Sequence, residues 1–155
     1  MSTNQIRPAE SRDMDEWLRM RKALWSDDSQ SRYLEEMQEI LSNPQKLVTF
    51  VVERPVDGLG GFLEASLRRY ADGCSSSPVG YIEGWYVDLD LRRLGVGRRL
   101  VQAAEEWAVA HGCQEMGSDC ELENQLSWEA HLALGYHEAE RLIHFCKRLP
   151  IRKDP

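Results

Sequence analysis

Arg92-Arg93-Leu94-Gly95-Val96-Gly97-Arg98-Arg99 places two glycines and four arginines at the start of a predicted helix. Glycine lets the backbone curl close to a ligand, the first N–H groups of a helix lack intrahelical acceptors, and the helix dipole adds positive potential. Such a stretch is an anion cradle. Neither common nucleotide motif fits it. A P-loop requires Gly-Lys-Ser/Thr after its glycines, and a dinucleotide fingerprint requires a small residue where Leu100 stands.

Before the cradle, residues 80–88 form an apolar and aromatic run that reads as a strand. After it, Leu100, Val101, Ala104, Trp107 and Ala108 recur at helical spacing until Gly112. Further upstream, Ile6 opens a short strand and Asp13 can cap a helix carrying Met14, Trp17, Leu18, Leu24 and Trp25. A second stripe, Tyr33, Leu34, Met37, Ile40 and Leu41, ends before Pro44, and the polar segment 26–30 separates the two helices. Residues 47–53 are β-branched and aromatic, 55–61 supply turn residues and 62–70 read as a strand, so a hairpin is expected. The segment 71–79, with Gly73, three serines and Pro78, is a loop. Downstream, 113–119 read as a further strand, Asn124 can cap a helix that Gly135 stops, and 136–149 read as a final hairpin. The order is β-α-α-β-β-β-α-β-α-β-β, a mixed α/β (α+β) architecture with helices on the faces of a mixed sheet.

The 155 residues fit one domain, 1–155, with one core. A composition of 42% hydrophobic and 29% charged residues excludes collagenous, low-complexity and disordered classes. Nineteen Lys and Arg against 26 Asp and Glu leave a formal charge of −7, which opposes nucleic acid and anionic membranes as partners and favours a cationic ligand. No apolar run approaches the ~18 residues of a membrane span, and the first eight residues lack a signal-peptide pattern. Cys74, Cys113, Cys120 and Cys146 form no CxxC pair and no paired Cys/His spacing, so no metal is expected. Free thiols in a reducing cytoplasm are the expectation.

Arg92-x-x-Gly95-x-Gly97 resembles the acetyl-coenzyme A signature R/Q-x-x-G-x-G/A of the GNAT superfamily of N-acetyltransferases. The resemblance implies a GNAT fold, a mixed and mostly antiparallel central sheet flanked by about four helices. It also implies acetyl-CoA as cosubstrate, its pyrophosphate in the turn and its pantetheine arm along the backbone of the preceding strand. The implied cofactor-binding residues are Trp85, Tyr86, Val87, Arg92, Arg93, Leu94, Gly95, Val96, Gly97, Arg98 and Asn124. Longer runs narrow the family. Arg21-Lys22-x-Leu24-Trp25, Cys74-x-Ser76-Ser77-Pro78-Val79, Glu83-Gly84, Gly112-Cys113-x-Glu115-Met116-x-Ser118-Asp119 and Glu140-Arg141 resemble aminoglycoside 6′-N-acetyltransferases, with similarity spanning about residues 6–148. That implies transfer of acetyl to the 6′-amine of aminoglycoside antibiotics, resistance to them, and a homodimer.

An enzyme for such polycations needs carboxylates in a cleft, where low dielectric strengthens each pairing. Glu83 lies mid-strand in an otherwise apolar and aromatic segment, where a carboxylate is costly without a partner. Asp119 ends the neighbouring strand. The resemblance places both beside the acceptor, together with Glu140 and the flat rings of Trp25 and Tyr70. The competing structural readings are a solvent-facing Glu83, a turn-capping Asp119 and a core Trp25, while Trp17, Trp107 and Trp128 are read as packing.

The expected chemistry is direct attack of the sugar amine on the thioester, with no acyl-enzyme. The family places a backbone N–H of the strand before the glycine turn on the oxyanion, which by position is that of Val87. Glu83 is the candidate base, acting through water, with binding of the remaining ammonium groups as the alternative role. Many superfamily members carry a proton-donating Tyr four residues before the Gly that ends the last helix, where this chain has His131. The rival readings are a GNAT acetyltransferase for a polyamine or protein amine, and a non-catalytic acyl-CoA-binding sensor.

Overall fold

The computed structural model describes residues 3–26 and 29–155; residues 27 and 28, within the polar connection expected over 26–30, lie outside the described residues. The chain divides into two compact units, Met1–Cys120 and Glu121–Pro155.

The first unit carries a five-stranded sheet in the order β1-β2-β3-β4-β5. Strands β1 (Gln5–Pro8), β2 (Leu47–Glu53), β3 (Leu59–Arg68) and β4 (Val79–Val87) pair antiparallel, and β5 (Met116–Ser118) joins β4 in parallel. A parallel pair needs a crossover, which α3 (Val96–Ala110) supplies. The mixed, mostly antiparallel sheet expected from the sequence is the one observed.

Helices α1 (Met14–Leu24) and α2 (Gln30–Ser42) cover one face. Their apolar stripes place Trp17, Met20, Tyr33 and Met37 against Val51, Leu59 and Phe62, all buried. Each such side chain contributes roughly 1.5–3 kcal/mol by leaving water. Gly61 and Phe62 are adjacent in β3 and so point to opposite faces. A Cβ on Gly61 would lie 3.5 Å from Leu100 Cδ1 and one on Gly80 2.7 Å from Ala108 Cβ, which puts α3 on the other face.

The pairing of β3 with β4 is interrupted once. Glu64 opposes Gly84 and Ala65 opposes Ile82, so Glu83 is an extra residue, a β-bulge. The bulge reverses the alternation of faces. Gly80 meets α3, and so does Trp85 five residues later, its ring 3.1 Å from where a Cβ on Gly97 would stand. An unbroken strand would have sent these two residues to opposite faces.

Four local expectations are corrected. Strand β3 starts at Leu59, because Gly60 and Gly61 are strand residues rather than turn residues: a Cβ on Gly61 would stand 2.9 Å from the Tyr86 carbonyl, so the missing side chain permits close strand approach. Asp13 precedes α1 without capping it through its side chain. Instead its carboxylate accepts from the Glu10 N–H at 2.8 Å and from both terminal nitrogens of Arg7 at 2.7 and 2.9 Å. Strand β5 is confined to three residues, the length of its ladder with β4. The final hairpin over 136–149 is not formed, and no strand occurs beyond α4 among the described residues. That segment contains no Gly, Pro, Asn or Asp to make a tight turn, so its apolar residues have no folded-back partner.

In the second unit, α4 (Gln125–Ala133) starts as expected, with the Asn124 side chain accepting from the Ser127 N–H at 3.1 Å. It ends before Gly135, whose φ of +90° favours glycine.

The end of β4 is clamped by charge. Asp88 accepts from Arg19 at 3.1 and 3.0 Å and from Arg54 at 3.0 Å, while Arg54 also grips Asp90 at 2.8 and 2.9 Å. Burial pushes the Asp88 carboxyl up, but hydrogen bonds from Arg19 and Arg54 outweigh it and hold the group below the ordinary carboxylate range. A carboxyl depressed on folding contributes stability above its unfolded pKa of about 3.9, and loses it as pH falls through the folded value. Asp88→Asn is therefore expected to lower Tm at pH 7, and the gap from wild type to narrow below about pH 4. Thermal melts of both proteins from pH 7 to pH 3 check this; a gap that stays constant would refute it.

Candidate active site

The ladder between β4 and β5 ends at the Ile82–Ser118 pair. From residue 83 to residue 87, β4 keeps β3 on one side and has no ladder to β5 on the other. In an antiparallel ladder, opposed residues alternate between bonded pairs and pairs whose backbone groups point outward. The Asp88 N–H donates to Gly60 O at 2.8 Å, so Gly60–Asp88 is a bonded pair and Gly61–Val87 and Leu63–Trp85 are outward pairs. The N–H and C=O of Trp85 and Val87 are thus directed at the open edge. The Val87 carbonyl accepts from Arg92 Nε at 2.9 Å, which ties the strand end to the cradle. Tyr86 is the exception among the residues expected there. It belongs to a bonded pair with Phe62, and its ring lies 6.2 Å from that of Phe62 on the α1–α2 face.

The glycine turn follows directly. Arg93 and Gly95 both take positive φ, +63° and +78°, and Gly95 is the N-cap of α3. A Cβ on Gly95 would meet nothing within 4 Å, so its glycine is required by conformation rather than by crowding. No acidic residue stands in the first turn and no side chain caps the helix, which leaves the positive end of the dipole to Arg92, Arg93 and Arg98, while Arg99 Nη2 donates to Asn4 O at 3.0 Å on the β1 side. Leu94 is exposed and Val96 is buried beneath the turn. The backbone geometry fits an anion such as pyrophosphate.

A second constellation lies where β3 and β4 meet at the bulge. Glu83 accepts from Ser66 Oγ at 2.5 Å, and Arg68 grips it with Nε at 2.9 Å and Nη2 at 2.7 Å. The Arg68 guanidinium lies 3.5 Å over the Tyr81 ring, and the Tyr81 hydroxyl donates to Asp119. Burial and this bond to Asp119 push the Tyr81 phenol well above its ordinary range, so it stays a donor. Glu83 and Asp119 are thereby joined through Arg68 and Tyr81. Trp25 packs on the same stretch, for a Cβ on Gly84 would stand 2.5 Å from its ring. Tyr70 is 68% exposed and donates to Asp72 at 2.8 Å.

Behind this constellation sits a buried charge pair. Arg21 and Glu64 are 3% and 4% exposed and are joined by two hydrogen bonds of 2.7 and 2.8 Å. Glu64 also accepts from Trp17 Nε1 at 2.8 Å, and Arg21 donates to Glu36 at 2.7 Å. The guanidinium lies 5.0 Å from the Trp25 ring centroid and 5.4 Å from that of Tyr33. Burial pulls Arg21 down, but its carboxylate partners more than offset this and keep it charged.

Ser66, Arg68, Tyr81, Arg21 and Glu64 were not singled out as site residues from the sequence. A signal for three of them existed: Glu64, Ser66 and Arg68 are polar residues two apart in β3, which marks one face of the strand. In the second unit, His131 Nδ1 lies 2.7 Å from Ser127 O and its ring meets Tyr136 edge-on at 5.7 Å, while Glu140 is exposed. Among the described residues no cluster of three or more His, Cys, Asp or Glu could hold a metal ion.

The profile of the acetyltransferase (GNAT) family matches residues 13–136. An enzyme named aminoglycoside N(6′)-acetyltransferase type 1 from Acinetobacter genomosp. 13 is 41% identical over 145 residues, 93% of this chain and 98% of that protein. Another of the same name from Klebsiella aerogenes is also 41% identical, over 96% of this chain and 99% of the relative. Among solved structures, AAC(6′)-Iy bound to the bisubstrate analogue CoA-S-monomethyl-acetylneamine is similar at a TM-score of 0.89 with 36% identity, over 96% of this chain and all of that one. The aminoglycoside antibiotic 6′-N-acetyltransferase AAC(6′)-Ih from Acinetobacter baumannii gives 0.89 and 34% over the same shares.

Proposed function

Because the chain belongs to the acetyltransferase (GNAT) family, we propose that it transfers acetyl from acetyl-CoA directly to the 6′-amine of aminoglycoside antibiotics and so confers resistance to them. The observation that carries this is the full-length match, at 41% identity, to relatives of that name. The acidic constellation beside the open edge of β4 supports it, since an aminoglycoside brings several ammonium groups. The match of the family profile to residues 13–136 supports reading 1–155 as one acetyltransferase domain.

Bound acetyl-CoA supplies the thioester. The N–H groups at the start of α3, with Arg92, Arg93 and Arg98, hold its pyrophosphate, and the backbone of Trp85 and Val87 aligns the pantetheine arm. The Val87 N–H, directed at the open edge, stabilises the oxyanion. Glu83 takes a proton from the 6′-ammonium through water, and Asp119, Trp25 and Tyr70 line the acceptor side. Asn124 on the cofactor, His131 as proton donor and Glu140 on the acceptor keep the roles that the family resemblance implies. Burial pushes the Cys113 and Cys74 thiols up, which disfavours a thiolate nucleophile and supports direct transfer.

The test is release of free CoA thiol from acetyl-CoA with kanamycin or tobramycin, repeated with an aminoglycoside carrying a 6′-hydroxyl. Release with the amine and none with the hydroxyl is expected. Release with polyamines or protein amines alone would favour the rival acetyltransferases, and binding of acetyl-CoA without turnover the sensor.

We place the protein in the cytoplasm as a homodimer. Its four cysteines are free, as in a reducing compartment, and Leu142, Ile143, Phe145, Leu149 and Ile151 present apolar side chains to solvent that a second copy could cover. No helix among the described residues is long and apolar enough to cross a membrane.

A further inference from the structure

An ionised carboxylate has about four acceptor positions on its two oxygens. On Glu83 three are taken by this chain itself: Ser66 and Arg68 Nε at Oε1, and Arg68 Nη2 at Oε2. The carboxylate read as the receiver of a substrate ammonium therefore already holds a cation. Arg68 also feels the second acid of the site, since its hydrogen bonds to Glu83, and to a lesser degree the charge of Asp119, hold its guanidinium protonated. Both partners of this ion pair are partly exposed, at 41% for Arg68 and 35% for Glu83, and a pair so wetted is weak enough to be exchanged.

Resting on the acetyltransferase reading above, we propose that Arg68 is a specificity-determining residue that occupies, in the free protein, the ammonium position on Glu83, so that an acceptor amine gains more than the one acceptor position left open on Oε2 by displacing it. An ammonium brings three donors where the guanidinium spends two, and it must compete for the same lone pairs. An acceptor carrying several ammonium groups gains Asp119 as well as Glu83. A guanidinium stacked on Tyr81 and anchored in β3 keeps Glu83 satisfied in between.

The test compares wild type with Arg68→Gln and Arg68→Met, which remove the cation, and Arg68→Lys, which keeps it. Steady-state kinetics with tobramycin at saturating acetyl-CoA are measured at low and moderate salt, with tobramycin binding by calorimetry. Removal of the cation is expected to lower KM and Kd for tobramycin by about fivefold or more, with the change in KM rather than kcat, and to steepen the rise of KM with salt; Arg68→Lys should stay near wild type. In the wild type, the Arg68 Nε–H resonance should shift on tobramycin titration, a readout that does not depend on any variant folding. A KM that is unchanged or raised in Arg68→Gln and Arg68→Met, or a resonance unmoved at saturation, overturns the proposal while acetylation by the wild type leaves the function standing. If the wild type neither binds nor acetylates tobramycin, the function reading falls and this proposal falls with it.

Discussion

Glu64→Ala is expected to destabilise the protein by about 3–5 kcal/mol, because it leaves Arg21 buried without its main counter-charge. The same change removes the acceptor of Trp17 Nε1, an indole with no exposure at all. Glu36 remains on one Arg21 nitrogen, yet it sits at the solvent edge and meets only Nη1. At roughly 2–4 °C per kcal/mol for a chain of this size, Tm should fall by about 6–20 °C. Replacing both partners by apolar residues, Arg21→Met with Glu64→Leu, should recover part of that loss, since two charges no longer have to be desolvated. Thermal and urea melts of the two singles and the double check it; a single variant that melts with the wild type would show that the pair contributes nothing. The Arg21 guanidinium also lies over the Trp25 ring, so Glu64→Ala should disturb tryptophan fluorescence before global unfolding.

The second large effect concerns turnover. Glu83→Gln is expected to lower kcat/KM for a 6′-amino aminoglycoside by ~10²- to 10³-fold, the range of a lost general base together with a lost ammonium partner. Asp119→Asn, which leaves a hydrogen-bond acceptor for Tyr81 but no charge, should act mainly on KM, by about tenfold. The Glu83 carboxylate is exposed, so neither change should move Tm by more than a degree or two. If both variants keep kcat/KM within about a factor of two of wild type, the acidic acceptor site is wrongly placed and a different amine acceptor must be sought.

What could be read without the structure was what is local. The turn residues Gly95 and Gly97, the Asn124 cap and the bounds of β2 all depend on residues adjacent in the chain, and all were legible. The features that were missed depend on partners distant in sequence. The bulge at Glu83 exists only relative to the register of β3, and nothing in the composition of 80–88 marks one residue as extra. Arg21 and Glu64 lie 43 residues apart on a helix and a strand, so no periodicity links them. Arg68 fell inside a predicted strand, where a charged residue near the end reads as solvated. The expected C-terminal hairpin failed for the opposite reason: apolar composition suggested strands where the turn residues that would fold them back are lacking.

The bulge also limits how a chain of this design can vary. Glu83 and Gly84 face the α1–α2 side, while Trp85, next in sequence, faces α3 under the glycine turn. The residues proposed for the acceptor and for the donor thus lie on opposite faces of one strand, separated by a single residue step. Inserting or deleting one residue between positions 84 and 87 would exchange the faces, and two inserted residues would restore them but shift the cradle by about 7 Å along the strand. Length is therefore frozen in this segment. A change of acceptor is expected to come by substitution here, or by a change in length of the loop over 69–78, where an added residue alters neither face.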